Sequence, residues 1–376
     1  MKIGILKELH GENRVSMLPD NISALVSLKT QVLIERGAGD TAFVTDDEYK
    51  AAGAGIMSRK EVMAQADIIL MIHAPDSAEI KELREDQVFI GAFNPMLNHM
   101  IVNDFVNTGV TSFSLDVIPR TTRAQTMDIL SSQATVAGYK AVLDAANRFG
   151  GFLNMFMSAA GTIKPAKVMV LGAGVAGLQA IATARKLGAV VEAFDVRAAS
   201  KSEVQSLGAK FIEVEGSVDR VEAGGYAVEQ TEEFKKKQRQ AIHDHAIKSD
   251  IIICTAQIPG KKAPLLLFRD TIEAMSPGSV VIDLAASTGG NCEVTIDNQV
   301  VNRNNVFVIG KSNYPSEMPV DASLMFGKNM FNFVRLLIDS EGNLNLDMKD
   351  DLIQGTCVTF KNRIIHNRVL ESIKVK

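Results

Sequence analysis

The sequence predicts an α/β protein with two doubly wound, Rossmann-like parallel sheets, a cleft between them and a discontinuous first domain. Three observations support this prediction. The 376 residues exceed what one ordinary hydrophobic core needs, so we expect two domains. Apolar segments typical of strands alternate with helical segments, as in parallel sheets covered by helices. A glycine-rich turn that starts at residue 172 joins one such strand to one such helix.

The N-terminal region of the chain alternates strands and helices. Strands are predicted at residues 2–6, 30–35, 67–75, 87–93 and 110–118. Helices are predicted at residues 45–54 and at residues 19–28, where Pro19 occupies the first turn. A C-terminal tail that follows the second sheet is too short to build its own core. We therefore assign residues 1–126 and 320–376 together to the first domain.

Residues 127–319 form the predicted second domain. A long helix is predicted at residues 127–149, and the glycine-rich unit follows it. Further strands are predicted at residues 209–215, 250–256, 279–285 and 306–310. A strongly apolar helix at residues 322–338 comes after the second sheet.

Composition excludes several function classes. Hydrophobic residues make up 46% of the chain and charged residues 22%, so we expect a soluble globular protein. The net charge is −4 and the chain has no block of basic residues, so we expect no nucleic-acid partner. The three cysteines have no spacing that suggests a disulfide framework or a metal site, which favours a reducing compartment and no metal. The first residues read directly as a strand, with no signal peptide, and the longest uncharged stretch, residues 168–184, is broken by three glycines. We expect neither secretion nor a membrane span.

The turn after the strand at residue 167 carries a phosphate-binding pattern. Gly172, Gly174 and Gly177 fit G-x-G-x-x-G, in which the glycines allow a tight turn and close backbone approach to a pyrophosphate. Asp195 ends the next strand, where a carboxylate suits the ribose hydroxyls of NAD. Arg197 is the counter-argument, because an arginine there can accept the 2′-phosphate of NADP. The pattern predicts a dinucleotide site and favours NAD.

Two other segments suggest function, each with a structural alternative. The connection at residues 216–249 is longer than a crossover needs and contains Gly224, Gly225 and Tyr226, so it is either a mobile lid or a surface excursion. The segment at residues 119–133, "PRTTRAQTMDILSSQ", is either a helix cap or a loop that binds an amide or a phosphate. Its polar side chains are Arg120, Arg123, Gln125, Asp128 and Ser131.

Histidine is the commonest general base, and six are present. His243 and His245 lie on a charged helix, where we expect them to be solvated. His10, His73 and His99 lie at or near strand ends of the first domain, and His73 is the best placed of the three.

Several motifs together resemble one enzyme family. The segment at residues 119–133, the glycine turn, "AGGYA", "PGSVVIDLA" and "GGN" are similar to the NAD(H)-binding component of the proton-translocating nicotinamide nucleotide transhydrogenases. The resemblance extends from "KELHGENRVSMLP" to "GTCVT" and covers nearly the whole chain. It implies direct hydride transfer between NAD(H) on this chain and NADP(H) on a separate component, coupled to proton translocation by a membrane component. It also implies a homodimer that is cytoplasmic and peripheral to the inner membrane through its partner subunits.

The resemblance assigns roles to individual residues. The nicotinamide is oriented by Arg120, Gln125, Asp128 and Ser131, with the Asp128 charge paired to Arg120 or Arg123. The pyrophosphate is held by Gly172, Ala173, Gly174, Val175 and Gly177. The adenosine ribose is held by Asp195, Val196 and Arg197. The remaining contacts are the lid residues Gly225 and Tyr226, Gln238 on the following helix, and Gln257, where the family pattern leads us to expect an apolar residue. The helix at residues 322–338 serves either the dimer or the domain core.

Two rival functions stay open at the sequence level. Alanine dehydrogenase shares the "KE…ENRV…P" opening, but its catalytic lysine and histidine correspond to His73 and Asn94 in this chain. A soluble amino- or keto-acid dehydrogenase that uses His73 is therefore one alternative. A non-catalytic subunit that senses NAD is the other.

Overall fold

The computed structural model describes residues 1–9, 11–214, 231–258 and 260–374. Its strands are β1 Lys2–Ile5, β2 Gln31–Glu35, β3 Gly55–Met57, β4 Ile68–Leu70, β5 Val88–Gly91, β6 Thr111–Ser114, β7 Phe156–Ser158, β8 Gly161–Ile163, β9 Lys167–Leu171, β10 Val190–Phe194, β11 Lys210–Phe211, β12 Ile251–Cys254, β13 Val280–Asp283, β14 Gln299–Arg303, β15 Val306–Gly310, β16 Cys357–Phe360 and β17 Arg363–Ile364. Its α-helices are α1 Pro19–Ser27, α2 Asp46–Ala51, α3 Arg59–Gln65, α4 Ser77–Ile80, α5 His99–Thr108, α6 Ile129–Arg148, α7 Val175–Lys186, α8 Ser200–Ser206, α9 Glu232–Ala246, α10 Arg269–Ala274, α11 Pro319–Val334, α12 Asp351–Thr356 and α13 Asn367–Lys374.

The chain folds into two compact units, each built on its own sheet. Unit 1 comprises Met1–Gln133 and Pro315–Lys376, and unit 2 comprises Ala134–Tyr314. The sheet of unit 1 has the order β17-β16-β6-β5-β4-β1-β2-β3, and that of unit 2 has the order β11-β10-β9-β12-β13-β15-β14. In both sheets six parallel strands follow the doubly wound order 3-2-1-4-5-6. The predicted α/β fold class is confirmed.

Antiparallel strands extend each sheet at one edge. In unit 1, β16 and β17 come from the C-terminal segment, and β16 pairs with β6. In unit 2, β14 pairs with β15. Buried aliphatic and aromatic side chains fill both faces of each sheet, which explains why the parallel strands read as continuous apolar runs.

Several elements are shorter than their apolar patterns predicted. The strand predicted at residues 110–118 ends at Ser114, and a 3-10 helix, Leu115–Val117, follows it. The long helix begins at Ile129 because another 3-10 helix, Arg123–Met127, precedes it. Both changes occur in the connection between β6 and α6, where short 3-10 helices replace regular strand and α-helix.

The apolar helix that follows the second sheet belongs to the core of unit 1. It is α11, which begins earlier than predicted because Pro319 occupies its first turn. Phe326, Met330 and Phe333 are buried against residues of the unit 1 sheet. Of the two roles considered for this helix, its apolar face serves the domain core. Within the described ranges, none of the helices combines the length and the apolar character that crossing a bilayer requires.

Candidate functional site

The glycine turn of unit 2 lies between β9 and α7, beside β12, where the strand order of the sheet reverses. Gly172 has a φ of +95°, which side chains rarely tolerate. A Cβ on Gly172 would lie 2.8 Å from Thr255 Oγ1, and a Cβ on Gly177 would lie 1.9 Å from the Gly172 carbonyl oxygen. Both positions therefore require glycine, because a side chain would force the helix away from the strand.

Gly174 is different because the space beside it is open. A Cβ at this position would meet no heavy atom of the described chain within 4 Å. Gly174 precedes Val175, the first residue of the 12-residue helix α7. Backbone N–H groups at the start of this helix lack intrahelical partners and favour an anion. The glycine turn therefore fits a pyrophosphate in the way that the sequence predicts.

Asp195 lies beside the turn, and hydrogen bonds occupy its carboxylate. Its Oδ2 accepts the Ala173 N–H at 2.7 Å and Arg197 Nη2 at 2.9 Å. Its Oδ1 accepts the Arg197 N–H at 2.8 Å and Arg197 Nε at 3.0 Å. The Asp195 side chain is 8% exposed, against 28% for Arg197. Asp195, which favours NAD, and Arg197, which could accept the 2′-phosphate of NADP, therefore form an ion pair with each other.

A depression of about 360 Å³ opens at the end of β10. Its walls include Asp195, Val196, Phe211, Val214 and Phe234. Lys201 and Glu213, which also line it, form an ion pair of 2.8 Å. Aliphatic and aromatic walls next to the Asp195 carboxylate could accommodate a flat heterocycle such as adenine.

A buried polar network supports the turn from the neighbouring strand ends. Asn291 accepts the Ala256 N–H at 3.0 Å and donates to the carbonyl oxygens of Ala256 and Pro264. Asp283 accepts the Asn291 N–H at 2.8 Å, and although hydrogen bonds oppose the effect, burial raises the pKa of this carboxyl. Thr255 donates to the Gly172 carbonyl at 2.8 Å. Sequence reasoning missed this network because its partners come from separate loops.

Gln257 lies at the same strand ends. Its Nε2 donates to the Leu284 carbonyl at 2.9 Å, and the side chain is exposed. The Gln257 amide N–H therefore connects the loop after β12 to the loop after β13.

The other predicted nucleotide contacts lie elsewhere in the chain. Gln238 lies on α9 and is half-buried. The predicted lid residues Gly225 and Tyr226 lie outside the described residues.

The polar segment that precedes α6 belongs to unit 1. Asp128 lies at the start of α6 and accepts the Ser131 N–H at 3.0 Å and the Ser131 hydroxyl at 2.6 Å. Gln125 is exposed, and its amide makes no hydrogen bond within the described ranges. Arg123 forms ion pairs with Asp350 and Asp351 of the C-terminal segment.

These contacts correct one expectation. The resemblance predicts that Asp128 pairs with Arg120 or Arg123. For Arg123 this prediction is wrong, because its guanidinium pairs with Asp350 and Asp351 of the C-terminal segment. Asp128 instead caps a helix. A cap leaves carboxylate lone pairs available, so the geometry is compatible with both structural and binding roles for Asp128. Arg120 is exposed.

Of the histidine candidates in the first domain, His10 lies outside the described residues, and His73 has specific partners. His73 Nε2 lies 3.0 Å from Glu12 Oε2, and Arg14 forms a bidentate pair with the same carboxylate at 2.6 and 2.8 Å. The third nitrogen of the Arg14 guanidinium donates to Gln133 at 2.7 Å. Burial opposes ionisation of Glu12, but hydrogen bonds from Arg14 and His73 together with the Arg14 charge hold its pKa well below the usual range. His73 is thus a member of an ion-pair network.

The prediction that the two histidines of α9 are solvated is wrong. His243 Nδ1 lies 2.9 Å from Thr271 Oγ1, and His245 Nδ1 lies 2.5 Å from Glu192 Oε2. Both side chains are half-buried. Their helix packs on the sheet more closely than its charged composition indicated.

Residues 4–137 match the family model described as alanine dehydrogenase/PNT, N-terminal domain, and residues 141–367 match the corresponding C-terminal domain. The chain is 44% identical to an NAD(P) transhydrogenase subunit alpha protein of Rhodospirillum rubrum, over 97% of this chain and 98% of that protein. It matches the crystal structure of a transhydrogenase from Sinorhizobium meliloti at 41% identity with a TM-score of 0.88, over 97% of this chain and all of that one. An L-alanine dehydrogenase structure shares the fold at 23% identity and a TM-score of 0.84, over 100% and 99% of the two chains.

Proposed function

Because this chain belongs to the alanine dehydrogenase/PNT family, and within it to the NAD(P) transhydrogenase alpha subunits, we propose that it binds NAD(H) and exchanges hydride directly with NADP(H) on a separate component. The observation that carries the proposal is 44% identity over almost the full length of a transhydrogenase subunit. A further membrane component would couple the transfer to proton movement and bring this chain to the membrane. Such coupling needs partners, so this chain supplies one half of the reaction.

The residues of unit 2 fit the nucleotide-binding role in this function. The open space beside Gly174 admits the pyrophosphate against the first turn of α7. Asp195 lies where the adenosine ribose would bind, and the depression lined by Val196 suits the adenine. When NADH is bound, its nicotinamide supplies the hydride, and the protein supplies position and electrostatics. We propose that Gln238, Gln257 and the lid residues Gly225 and Tyr226 complete the contacts.

No general base is required, because both reactants are dinucleotides. Orientation is then the main catalytic contribution, since the reacting carbons must approach to about 3–3.5 Å. We propose that Arg120, Gln125, Asp128 and Ser131 orient the nicotinamide ring and its carboxamide. Gln125 suits this role because its exposed amide makes no bond to the described chain and can both donate and accept.

An exposed apolar hairpin supports a homodimer. The β7–β8 hairpin and the residues before it expose Phe152, Met155, Phe156, Met157 and Ile163 by 44% to 71%. The rings of Phe152 and Phe156 stack at 5.3 Å on this surface. An exposed apolar cluster of this kind is typical of a protein–protein interface.

The experiment that tests the proposal is single-turnover hydride transfer from NADH on this chain to NADP⁺ on a purified NADP(H)-binding component. Gln125→Asn should slow the transfer on the order of 100-fold, because the shorter side chain shifts the amide by roughly 1 Å. NADH affinity and melting temperature should change little. Asp128→Asn keeps the shape of the side chain and tests its charge in the same assay. Wild-type protein that binds NADH but transfers no hydride to the partner would contradict the proposed function.

A further inference from the structure

The segment proposed to orient the nicotinamide is held in place by residues from the C-terminal region of unit 1. The Thr126 carbonyl oxygen accepts two hydrogen bonds, from Asn329 Nδ2 at 2.8 Å and from Asn332 Nδ2 at 3.1 Å. Both asparagines lie on α11, three residues apart, and therefore point to the same side of the helix. Thr126 lies next to Gln125 and two residues before Asp128.

The two hydrogen bonds add a directional restraint to an apolar contact between α11 and the short helix that precedes Asp128. Ala124 and Met127 of the 3-10 helix Arg123–Met127 are 2% and 4% exposed and belong to the same core cluster as Phe326 and Met330 of α11. Apolar packing holds the two helices together, but it is non-directional and sets the rotation of the short helix about its own axis less sharply than hydrogen bonds do. Two donors on one carbonyl oxygen oppose that rotation. The rotation would move Gln125, which lies on the exposed side.

The orientation of the Asn329 amide supports this function. Its Oδ1 is buried and has no hydrogen-bond partner among the described residues. Rotating the amide by 180° would place Oδ1 against the Thr126 carbonyl oxygen, which is repulsive. The amide therefore keeps its donor on the Thr126 carbonyl oxygen, and this contact fixes which way the Asn329 side chain faces.

Two further contacts hold the same segment from α12. Arg123 forms ion pairs with Asp350, the N-cap of α12, and with Asp351. Gly355 lies so close to Pro119 that a Cβ on the glycine would be 2.3 Å from Pro119 Cγ. The segment is thus fixed near its start, its middle and its end by residues from the distant C-terminal region of the chain.

We propose that Asn329 and Asn332 are positioning residues for hydride transfer, which hold the Thr126 carbonyl and so set where Gln125 and Asp128 meet the nicotinamide. This inference rests on the proposed function of the segment. The asparagines touch neither nucleotide in this scheme and act only through Thr126. Their effect should therefore appear in the rate of transfer and not in the affinity for NADH.

The test compares Asn329→Ala, Asn332→Ala and the double variant in the full chain with an NADP(H)-binding component. Single-turnover transfer should slow on the order of 10-fold in each single variant and 100-fold in the double variant, because a displacement near 1 Å has an effect of that size. The dissociation constant for NADH should stay within about twofold of wild type. Asn332→Gln, which restores a donor, should recover most of the rate. Asn343→Ala removes a comparable amide, which among the described residues bonds Asp339 alone, and serves as the matched control.

The outcomes separate this inference from the proposed function. Wild-type transfer together with unchanged rates in folded, NADH-binding variants would overturn the positioning role and leave the proposed function intact. Equal losses of rate and of NADH affinity would also overturn it, because they indicate general damage to the fold. The single variant Asn332→Ala breaks the longer bond and keeps the test possible if the double variant does not fold. Absence of transfer in the wild type would overturn both proposals.

Discussion

At the scale of single residues, the Asp195–Arg197 pair bears on the choice between NAD and NADP. The carboxylate accepts four hydrogen bonds, and three of them come from Arg197. A carboxylate has about four lone-pair positions, so a ribose hydroxyl must displace some of the arginine contacts to bind there. Once displaced, the guanidinium carries a positive charge close to the 2′ position.

Asp195→Ala should therefore weaken NADH binding and narrow the gap between NADH and NADPH. Loss of a charged acceptor costs about 1.5–3 kcal/mol, or roughly 10- to 100-fold in the dissociation constant. Arg197, no longer bonded to residue 195, should at the same time attract a 2′-phosphate. Titrations with NADH and with NADPH measure the ratio of the two dissociation constants. This ratio is informative because loss of the bond to the Ala173 N–H would weaken the binding of both nucleotides equally. In the double variant Asp195→Ala/Arg197→Ala, the increase in affinity for NADPH relative to NADH should disappear. Equal affinity of the wild type for NADH and NADPH would show that the ribose assignment is wrong.

A second residue-scale feature is the buried carboxyl of Glu8 in unit 1. Glu8 is 8% exposed and accepts the backbone N–H groups of Ile72 at 2.5 Å and His73 at 3.2 Å. Burial is the largest influence and raises the pKa of Glu8 to about 7, although the backbone donors and His73 offset some of the rise. The folded protein therefore binds this proton more tightly than the unfolded chain.

The raised pKa predicts how stability depends on pH. The contribution of Glu8 is fully present below its unfolded pKa, near 4.5, and is lost as pH rises through the folded pKa near 7. The free energy of unfolding should fall by up to about 1.4 kcal/mol per pH unit across that window. Glu8→Gln should remove this slope, even if the lost acceptor lowers stability overall. Urea melts from pH 5 to pH 8 measure the slope, with the exposed Glu371→Gln as the control. Identical slopes in wild type and Glu8→Gln would contradict the assignment.

At the scale of elements, sequence reasoning worked best where the information is local. The glycine turn and Asp195 were predicted because strand, turn and helix are contiguous and each glycine has a local steric reason. The partners of Arg123 and Thr126 were not predicted, since they arrive from segments more than 200 residues away. The β7–β8 hairpin was missed because three-residue strands are too short to show alternation. Long-range polar contacts depend on the finished fold and leave no periodic pattern.

A close helix crossing in unit 2 gives a prediction in which two effects oppose each other. Gly138 lies within α6, and a Cβ there would be 2.1 Å from the carbonyl oxygen of Ala176, in the first turn of α7. Glycine to alanine in an unconstrained helix gains about 1 kcal/mol. Here the backbone clash should dominate, at a cost of about 1–3 kcal/mol for overpacking.

Gly138→Ala should therefore lower the free energy of unfolding and also weaken NADH binding, because the displaced helix start is the proposed pyrophosphate site. Denaturant melts and NADH titrations measure the two effects. Gly150→Ala is the matched control, since a Cβ at Gly150 meets no described atom within 4 Å. A Gly138→Ala variant as stable as the control would mean that α6 and α7 can separate without penalty.

At the scale of the whole molecule, two sheets with the same strand order have different roles in the proposed function. In unit 2 the switch point between β9 and β12 carries the glycine turn. In unit 1 the chain beyond β1 and β4 carries the Glu12–Arg14–His73 network, in which the polar side chains bind one another. Fold similarity to alanine dehydrogenase therefore does not imply its reaction, because function depends on which groups remain available.

The last prediction separates the proposed function from the alanine dehydrogenase-like alternative. A substrate carboxylate needs an available cation, but the charge of Arg14 is already paired with Glu12, and three of its five N–H groups donate, two to Glu12 and one to Gln133. His73 is bonded to Glu12, and the position expected to carry a catalytic histidine is Asn94. Releasing Arg14 would leave the buried Glu12 carboxylate without its main partner, which is unfavourable by about 3–5 kcal/mol.

The chain alone should therefore bind NADH and show no steady NADH oxidation with pyruvate and ammonia above the rate without protein. The same preparation should transfer hydride once an NADP(H)-binding component is added, which shows that the nucleotide site is active. His73→Ala should leave that transfer unchanged, because His73 has no role in a reaction between two dinucleotides. Steady turnover of pyruvate that His73→Ala abolishes would establish the dehydrogenase alternative, since only a general acid or base at that position explains such a loss.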